Sequence, residues 1–314
     1  MSDPRREFLA RVDLGKTRVR NIGGFVFLCG GKNDVESTAP VLSVRHRLYY
    51  ELTNGRHSDI AARLKLAEDI QDWFRDGTYN DLVTFEEHLA GLSDVIVLIV
   101  ESPGAIAELG AFAVSPTIAD RLLVLVAEVH YEEDSFIKLG PIKRLEKKNS
   151  DAVLVYDWHE RTATSYVERI ELLNDEMPGI VAAIKQFMST GTGESTFKSH
   201  DPAHQMLLIC DLIDLFGALP ITEIQEFLAT ISLDVGLEKL KQYLFLLEKC
   251  GLLRLKAKGH GRYYYTNGWI PRISFGFSEG PGIDKGRLRF DVVEYYDAHE
   301  KTRAKVIKQI RSIA

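Results

Sequence analysis

Cysteine, long apolar runs and a strong excess of either charge are what this sequence has least of, and each shortage excludes something. Only 3 cysteines occur in 314 residues, Cys29, Cys210 and Cys250. They are far apart, odd in number and set in apolar stretches. That excludes a disulfide framework or a zinc ribbon and points to buried thiols in a reducing compartment. No apolar run approaches the ~18 residues of a spanning helix, and the opening M-S-D-P-R-R-E has no secretory-leader pattern. The expected location is therefore cytoplasmic, away from membranes. A formal net charge of −6 excludes a generic polyanion binder but leaves room for a local basic face. Also missing are G-x-x-x-x-G-K-[ST], H-E-x-x-H and C-x-x-C, and the one G-x-S-x-G, Gly276 to Gly280, falls in a glycine-rich connector rather than in a strand–turn–helix elbow. Kinase, zinc-hydrolase and serine-esterase chemistry thus lose their main supports, and no metal site is expected.

What is present is an ordinary globular composition, 45% hydrophobic and 27% charged, in a chain long enough for two cores. The rest is organised around residues 93–114. Val95 to Val100 is a continuous apolar run, which predicts a strand buried on both faces. Glu101, Ser102, Pro103 and Gly104 form a polar turn, and a helix follows from Ala105 with Glu108 one turn inside it. In open α/β sheets ligands bind outside the carboxyl ends of strands, so Glu101 to Glu108 lie where chemistry belongs. The helix N-terminus is expected to keep Glu108 ionised, which makes it the nucleophile candidate. On the residues alone, a structural glutamate in the first turns of a helix fits equally well.

Phe25 to Leu28 starts the sheet and runs into Cys29, Gly30 and Gly31, where two glycines let backbone approach a ligand. Without a full G-x-G-x-x-G there is no dinucleotide fingerprint. Pro40 to Leu52 reads as a helix, with Arg45 and His46 as surface residues near its start. Ile60 to Trp73, with Glu68, Asp69 and Asp72, has no strong second-strand pattern. Leu82 to Gly91 is a helix whose Leu82, Phe85 and Leu89 face a core, leaving Glu86 and Glu87 on a solvated side by spacing alone. Arg121 to Ala127 and Ala152 to Tyr156 are strands, Ser135 to Leu145 a loop and short helix, and Ser165 to Met188 a long closing helix broken at Pro178. This alternation predicts an α/β fold, a parallel sheet in three layers, over residues 23–188.

Residues 1–22 carry Arg5, Arg6, Arg11, Lys16, Arg18 and Arg20 and read as a basic arm or short helix. Residues 189–201, rich in Ser, Thr and Gly, read as a linker. Three helices then follow: Met206 to Phe216, Glu223 to Ala229 capped by Thr222, and Leu237 to Lys249. Two strands come next, Leu252 to Ala257 and Tyr263 to Thr266. That order is the winged-helix arrangement, expected over 202–275. Arg254, Lys256, Lys258 and Arg262, with Tyr264 beside them, suit a phosphate backbone and exposed bases. A protein-contact role for the hairpin stays open. Residues 276–314 read as a glycine-rich connector and a charged helix, Arg287 to Ile313.

Ala107-Glu108-Leu109-Gly110-Ala111-Phe112 resembles the x-E-L-G-x-A motif of nucleoside 2-deoxyribosyltransferases, in which that Glu is the nucleophile. Phe27 to Gly31, Asp94-Val95-Ile96, Glu101 to Gly104, Glu108 to Phe112, and Phe136 through Gly140-Pro141 extend the likeness. Together with the winged-helix-like tail, they resemble retron-associated effector toxins of that deoxyribosyltransferase-like class. The resemblance implies a flavodoxin- or Rossmann-like catalytic domain in an anti-phage, abortive-infection toxin. A retron reverse transcriptase and its branched RNA–DNA (msDNA) would be the partners that restrain it. It further implies N-glycosidase activity, foremost NAD+ cleaved to nicotinamide and ADP-ribose. NAD+ is then substrate rather than cofactor, and no cofactor is needed. Glu108 takes the nucleophile or charge-stabiliser role and Glu86 orients the substrate. Cys29, Gly30, Gly31, Glu101, Ser102, Pro103 and Gly104 shape the ribose and phosphate site. Relatives commonly complete the site from a second subunit, so a homo-oligomer is expected. One departure is Ser102 where the transferases carry an Asp, which favours hydrolysis over base transfer. A nucleoside base-exchanger or nucleobase hydrolase, and a nucleotide-sensing winged-helix regulator, remain the alternatives.

Overall fold

Apolar runs without alternation need cover on both faces, and a parallel sheet flanked by helices supplies it. The computed structural model describes residues 2–21, 23–33, 41–70, 77–132, 134–190, 193–280 and 282–312. It contains two compact units, Met1–Ile22 with Trp73–Asp81 and Gly193–Ala314, and Gly23–Asp72 with Leu82–Thr192. After β1 (Arg18–Asn21), the α/β unit holds β2 (Phe25–Cys29), β3 (Leu64–Lys65), β4 (Ser93–Val100), β5 (Leu122–Ala127) and β6 (Val153–Tyr156). These five pair in the order β3-β2-β4-β5-β6, all parallel. Central β4 has Val95 to Val100 fully buried, as its composition requires.

The sheet grows in opposite directions from the β2/β4 boundary. Right-handed crossovers then put the connecting helices on opposite faces, giving three layers and a switch point between β2 and β4. Helices Leu82–Gly91, Pro103–Val114 and Met177–Thr190 all pack on β4. The first of these has the bounds its spacing predicts. The helix expected from Pro40 runs Val44–Thr53 instead, started by the Ser43 side chain; Pro40 itself lies outside the described residues. The second strand is only two residues long, too short to leave an apolar run in the sequence. Asp72 and Trp73 lie outside the described residues.

One expected helix is corrected. Residues 165–176 do not continue a helix: β7 (His159–Arg161) and β8 (Tyr166–Glu168) form an antiparallel hairpin, and the helix spans only Met177–Thr190. Pro178 sits in its first turn, where a missing N–H costs nothing, so it begins the helix rather than breaking it.

The other unit overturns three expectations. The presumed linker contributes β9 (Gly193–Thr196), and the presumed basic arm contributes β1. These pair with each other and with β12 (Ile273–Ser274) in the order β12-β1-β9. Serine and threonine here satisfy an exposed edge strand, a role that composition alone does not separate from a linker. Arg5, on the short helix Pro4–Leu9, is buried rather than solvated. The charged C-terminal helix is two helices, Lys285–His299 and Lys301–Arg311, separated at Glu300 by non-helical backbone (φ −135°, ψ 61°); Ile313 lies outside the described residues. Between these segments stand helices Pro202–Phe216, Ile221–Thr230 and Leu237–Lys249, followed by the hairpin β10 (Arg254–Lys258) and β11 (Gly261–Tyr265). Thr222 lies inside the second helix, whose cap position is Pro220. Among the described residues no helix is long and apolar enough to cross a membrane.

Candidate active site

The carboxyl ends of β2 and β4 open into a cavity of about 360 Å³ at the switch point. It is lined by Cys29, Gly30 and Gly31 after β2, by Ser102 and Glu108 after β4, and by Glu86 from helix Leu82–Gly91. Those six residues, separated by up to 79 positions in the chain, are six of the nine that the sequence and its family resemblance pointed to. Lys32, Arg45 and Glu68 also line it, and the linear pattern did not single them out. Arg45 was expected on the surface but is 5% exposed, and His46 is buried as well. Glu86 was expected on a solvated helix face by spacing and is 6% exposed; its neighbour Glu87 is exposed.

Glu101, Pro103 and Gly104 do not line the cavity. Glu101 turns back into the fold. Its Oε1 accepts hydrogen bonds from the backbone N–H of Gly31 (2.9 Å) and Arg45 (3.0 Å), and its Oε2 accepts from Val44 (2.7 Å). One carboxylate thereby caps helix Val44–Thr53 and pins the glycine loop to the end of β4. The glycines follow from this. A Cβ on Gly31 would stand 2.9 Å from the Glu101 carboxyl carbon, and Gly30 has φ +153° with Ile99, Arg45 and Glu101 all 3.1 Å from any Cβ. Space for that carboxylate, as much as approach of a ligand, excludes a side chain here. Pro103 and Gly104 are the exposed first turn of helix Pro103–Val114. Ser102 caps that helix by accepting from the Ala105 N–H at 3.2 Å while lining the cavity.

Because its helix starts under Glu101, Arg45 is fixed at both ends. Its guanidinium donates to the carbonyls of Leu28 (3.1 Å) and Gly31 (3.2 Å), and bidentately to Glu68 at 2.6 and 2.7 Å. Burial pushes the Glu68 carboxyl up, but the hydrogen bonds and charge of Arg45 outweigh it and hold Glu68 below the usual range. At Glu86 the charge of Arg45 acts in the same sense but is outweighed. Burial first, then repulsion from Glu108 and Glu68, pushes it up to about 8, so Glu86 carries a proton at neutral pH. Glu108 is raised too, by burial and by Glu68, with Arg45 opposing. The expectation that the helix terminus keeps Glu108 low is therefore corrected. Glu108 sits a turn and a half inside its helix, beyond the reach of the terminal N–H groups, and desolvation dominates. Its Oε2 is buried with no hydrogen-bond partner. The Cys29 thiol is pushed well up by burial and by Glu108 and Glu86, so it lines the wall as a neutral group. Among the described residues no group of His, Cys, Asp and Glu is placed to hold a metal ion.

The basic hairpin is a separate feature. Its register pairs Arg254 with Tyr265, Lys256 with Tyr263, Lys258 with Gly261, Leu255 with Tyr264 and Ala257 with Arg262. Directly opposed residues share a face, so Arg254, Lys256 and Lys258 lie on one side with Tyr263 and Tyr265, while Arg262 and Tyr264 lie on the other. Arg254 and Arg262 are exposed. Tyr264 is not an open stacking platform. Its backbone pairs with Leu219, at 2.8 and 3.0 Å, and burial and then Glu248 push its phenol up.

Known proteins agree with a chain of this kind. A candidate ribosyltransferase/DNA-binding protein of retron Ec86 from Escherichia coli is 36% identical over 141 residues, 45% of this chain and 43% of that protein. Its counterpart from retron Ec73 of the same species is 32% identical over 133 residues, 42% of this chain and 41% of the other. The chain thus matches under half the length of these curated relatives. A family model described as the STM3845 retron effector protein matches residues 41–255, more than half of the 314 residues and including Arg45, Glu68, Glu86, Glu101 and Glu108. The chain belongs to the STM3845 retron effector protein family.

Proposed function

We propose that this retron effector is an N-glycosidase that cleaves the base–ribose bond of a nucleotide, with NAD+ split to nicotinamide and ADP-ribose as its leading reaction. The observation that carries this reading is the orphan carboxylate oxygen of Glu108 beside a cavity of about 360 Å³. A buried polar oxygen that no protein group satisfies is rare in a folded chain and marks a place where strain is kept for function. Glu86 and Glu108 divide the labour of adjacent carboxyls. Burial raises both, Glu86 to about 8, so the pair holds a proton near neutral pH, which this reading gives to Glu86, with the attack left to Glu108.

Glu108 attacks C1 of the ribose as the C1–N bond breaks, and the bonding pair neutralises the cationic ring nitrogen of nicotinamide. Water then attacks C1, the ester bond to Glu108 breaks, and a proton leaves to solvent. The names of the two relatives, which join ribosyl transfer to DNA binding, favour the same chemistry and a nucleic-acid role for the tail. In that role the three helices and hairpin act as a winged helix on msDNA, and the reverse transcriptase complex restrains the toxin until phage infection.

A second reading has its own support. A protonated Glu86 suits a leaving purine or pyrimidine, which needs a proton, better than nicotinamide, which does not. Incubating the purified chain with NAD+, deoxynucleotides and nucleosides separates the two readings by the product released. Free nicotinamide supports the first and free nucleobase the second. No release from any of them, with the protein folded, removes both.

A further inference from the structure

We infer that Glu68, held by Arg45, reads the hydroxyls of the substrate's sugar and makes the site selective for ribose over 2-deoxyribose. The inference rests on the glycosidase reading above and extends it to a substrate class. Glu68 follows β3, the strand beside β2, and lines the same cavity as Glu108. In α/β nucleotide sites a carboxylate at the end of the neighbouring strand is the common acceptor for ribose hydroxyls.

The local chemistry supports this role. Both Glu68 oxygens are engaged by the Arg45 fork, yet the Glu68 side chain stays 45% exposed while Arg45 is 6% exposed. A carboxylate oxygen has lone pairs beyond the one an Arg fork uses, so two acceptor directions remain on the open side. Pairing with Arg45 neutralises the local charge, so this wall does not preferentially attract a cation. It offers fixed acceptors to a neutral pair of donors, which is what a vicinal diol presents. The other carboxyls are unsuited: Glu86, pushed up to about 8, donates rather than accepts, and in the glycosidase reading Glu108 is the group that meets C1. Glu68, Glu86 and Glu108 line one cavity of about 360 Å³, so a bound nucleotide can meet all three.

Binding to the full-length Glu108→Gln protein tests this without turnover. Two matched pairs are titrated by calorimetry: AMP against 2′-deoxy-AMP, and NAD+ against its analogue lacking the 2′-hydroxyl on the nicotinamide ribose. The ribose member of a pair is expected to bind at least tenfold more tightly. Adding Glu68→Gln should bring that ratio to within about twofold by weakening the ribose member alone. Equal affinity within each pair, or a preference that survives Glu68→Gln, overturns the inference. If the wild-type chain still releases base in that case, the glycosidase reading stands. If no member of either pair binds and no base is released, both fall. Should Glu68→Gln fail to melt cooperatively, the ratio in the Glu68-intact protein still decides, because a ratio of one is incompatible with a diol reader.

Discussion

Two buried charge clusters, one in each unit, are built on opposite principles. In the unit formed by the chain's two ends, Arg5 donates to Asp3 (2.8 Å), Glu223 (3.0 Å), Glu300 (3.2 Å) and the Tyr296 hydroxyl (3.0 Å). Arg303 donates to the same Glu223 (2.6 Å) and to Tyr296 (3.2 Å) and pairs with Glu300 (3.0 Å), and the Tyr296 hydroxyl donates to the Phe216 carbonyl (3.1 Å). Arginine stacking on Tyr296 at 4.9 and 4.7 Å completes the cluster. Apart from the Arg303 Nε, the charges there are answered by partners. In the α/β unit Arg45 and Glu68 answer each other, whereas Glu86 and Glu108 line a cavity. The first arrangement holds helices together. The second keeps unspent charge where a substrate can meet it.

The sharpest break of this comparison is Glu108→Gln. It should lower base release on the order of a thousandfold or more while leaving thermal melting unharmed, since a neutral amide removes an uncompensated charge. A parallel loss of stability would place Glu108 among the structural residues. Next comes Glu223→Ala in the answered cluster, which takes a shared carboxylate from two buried guanidinium groups, leaving them Asp3 and Glu300, and should cost up to ~3–5 kcal/mol in urea unfolding. A loss below ~1 kcal/mol would mean the cluster is ornamental.

Glu86→Gln follows. A folded-state value of about 8, above the ordinary carboxyl value, means the folded chain binds the extra proton. Stability is therefore lost as pH rises between the two values, and Gln does not lose it. The stability advantage of Glu86→Gln should grow from pH 5 to pH 9, reaching on the order of a few kcal/mol. An advantage that does not change with pH would show that Glu86 is not desolvated. The smallest effect is on the hairpin. Alanine at Arg254, Lys256 and Lys258 should reduce the salt dependence of msDNA binding by ~1 in slope per residue, and Arg262→Ala on the opposite face by less if one face is used. Equal losses from both faces would show that the hairpin inserts edge-on.

Much of the α/β unit was legible because its signals are local. Apolar runs such as Val95–Val100 mark buried strands, and Leu82–Gly91 keeps a helical period. Glu108, Ser102, Gly30 and Gly31 were singled out because strand ends are where open sheets place ligands, whereas Glu86 came from the family resemblance, its spacing alone putting it on a solvated face. Arg45 and Glu68 were not, because nothing in the linear pattern distinguishes a buried arginine near a helix start from an exposed one. Their partnership joins residues 23 positions apart across a two-residue strand. Glu101 was found for the wrong reason: its three backbone partners lie on a distant loop and helix, so it reads as a site residue and acts as a brace. The terminal sheet was missed because β1 finds partners near residues 195 and 273, and such pairings leave no local period.

The most direct test of the central claim is to trap the sugar. The chain is saturated with an NAD+ analogue bearing a 2-fluoro-arabinosyl group on the nicotinamide side, and its peptides are weighed. A glycosyl mass on the peptide containing Glu108, in step with a burst of nicotinamide, is the result expected. A burst of nicotinamide with the mass on another residue, or on none, would contradict it.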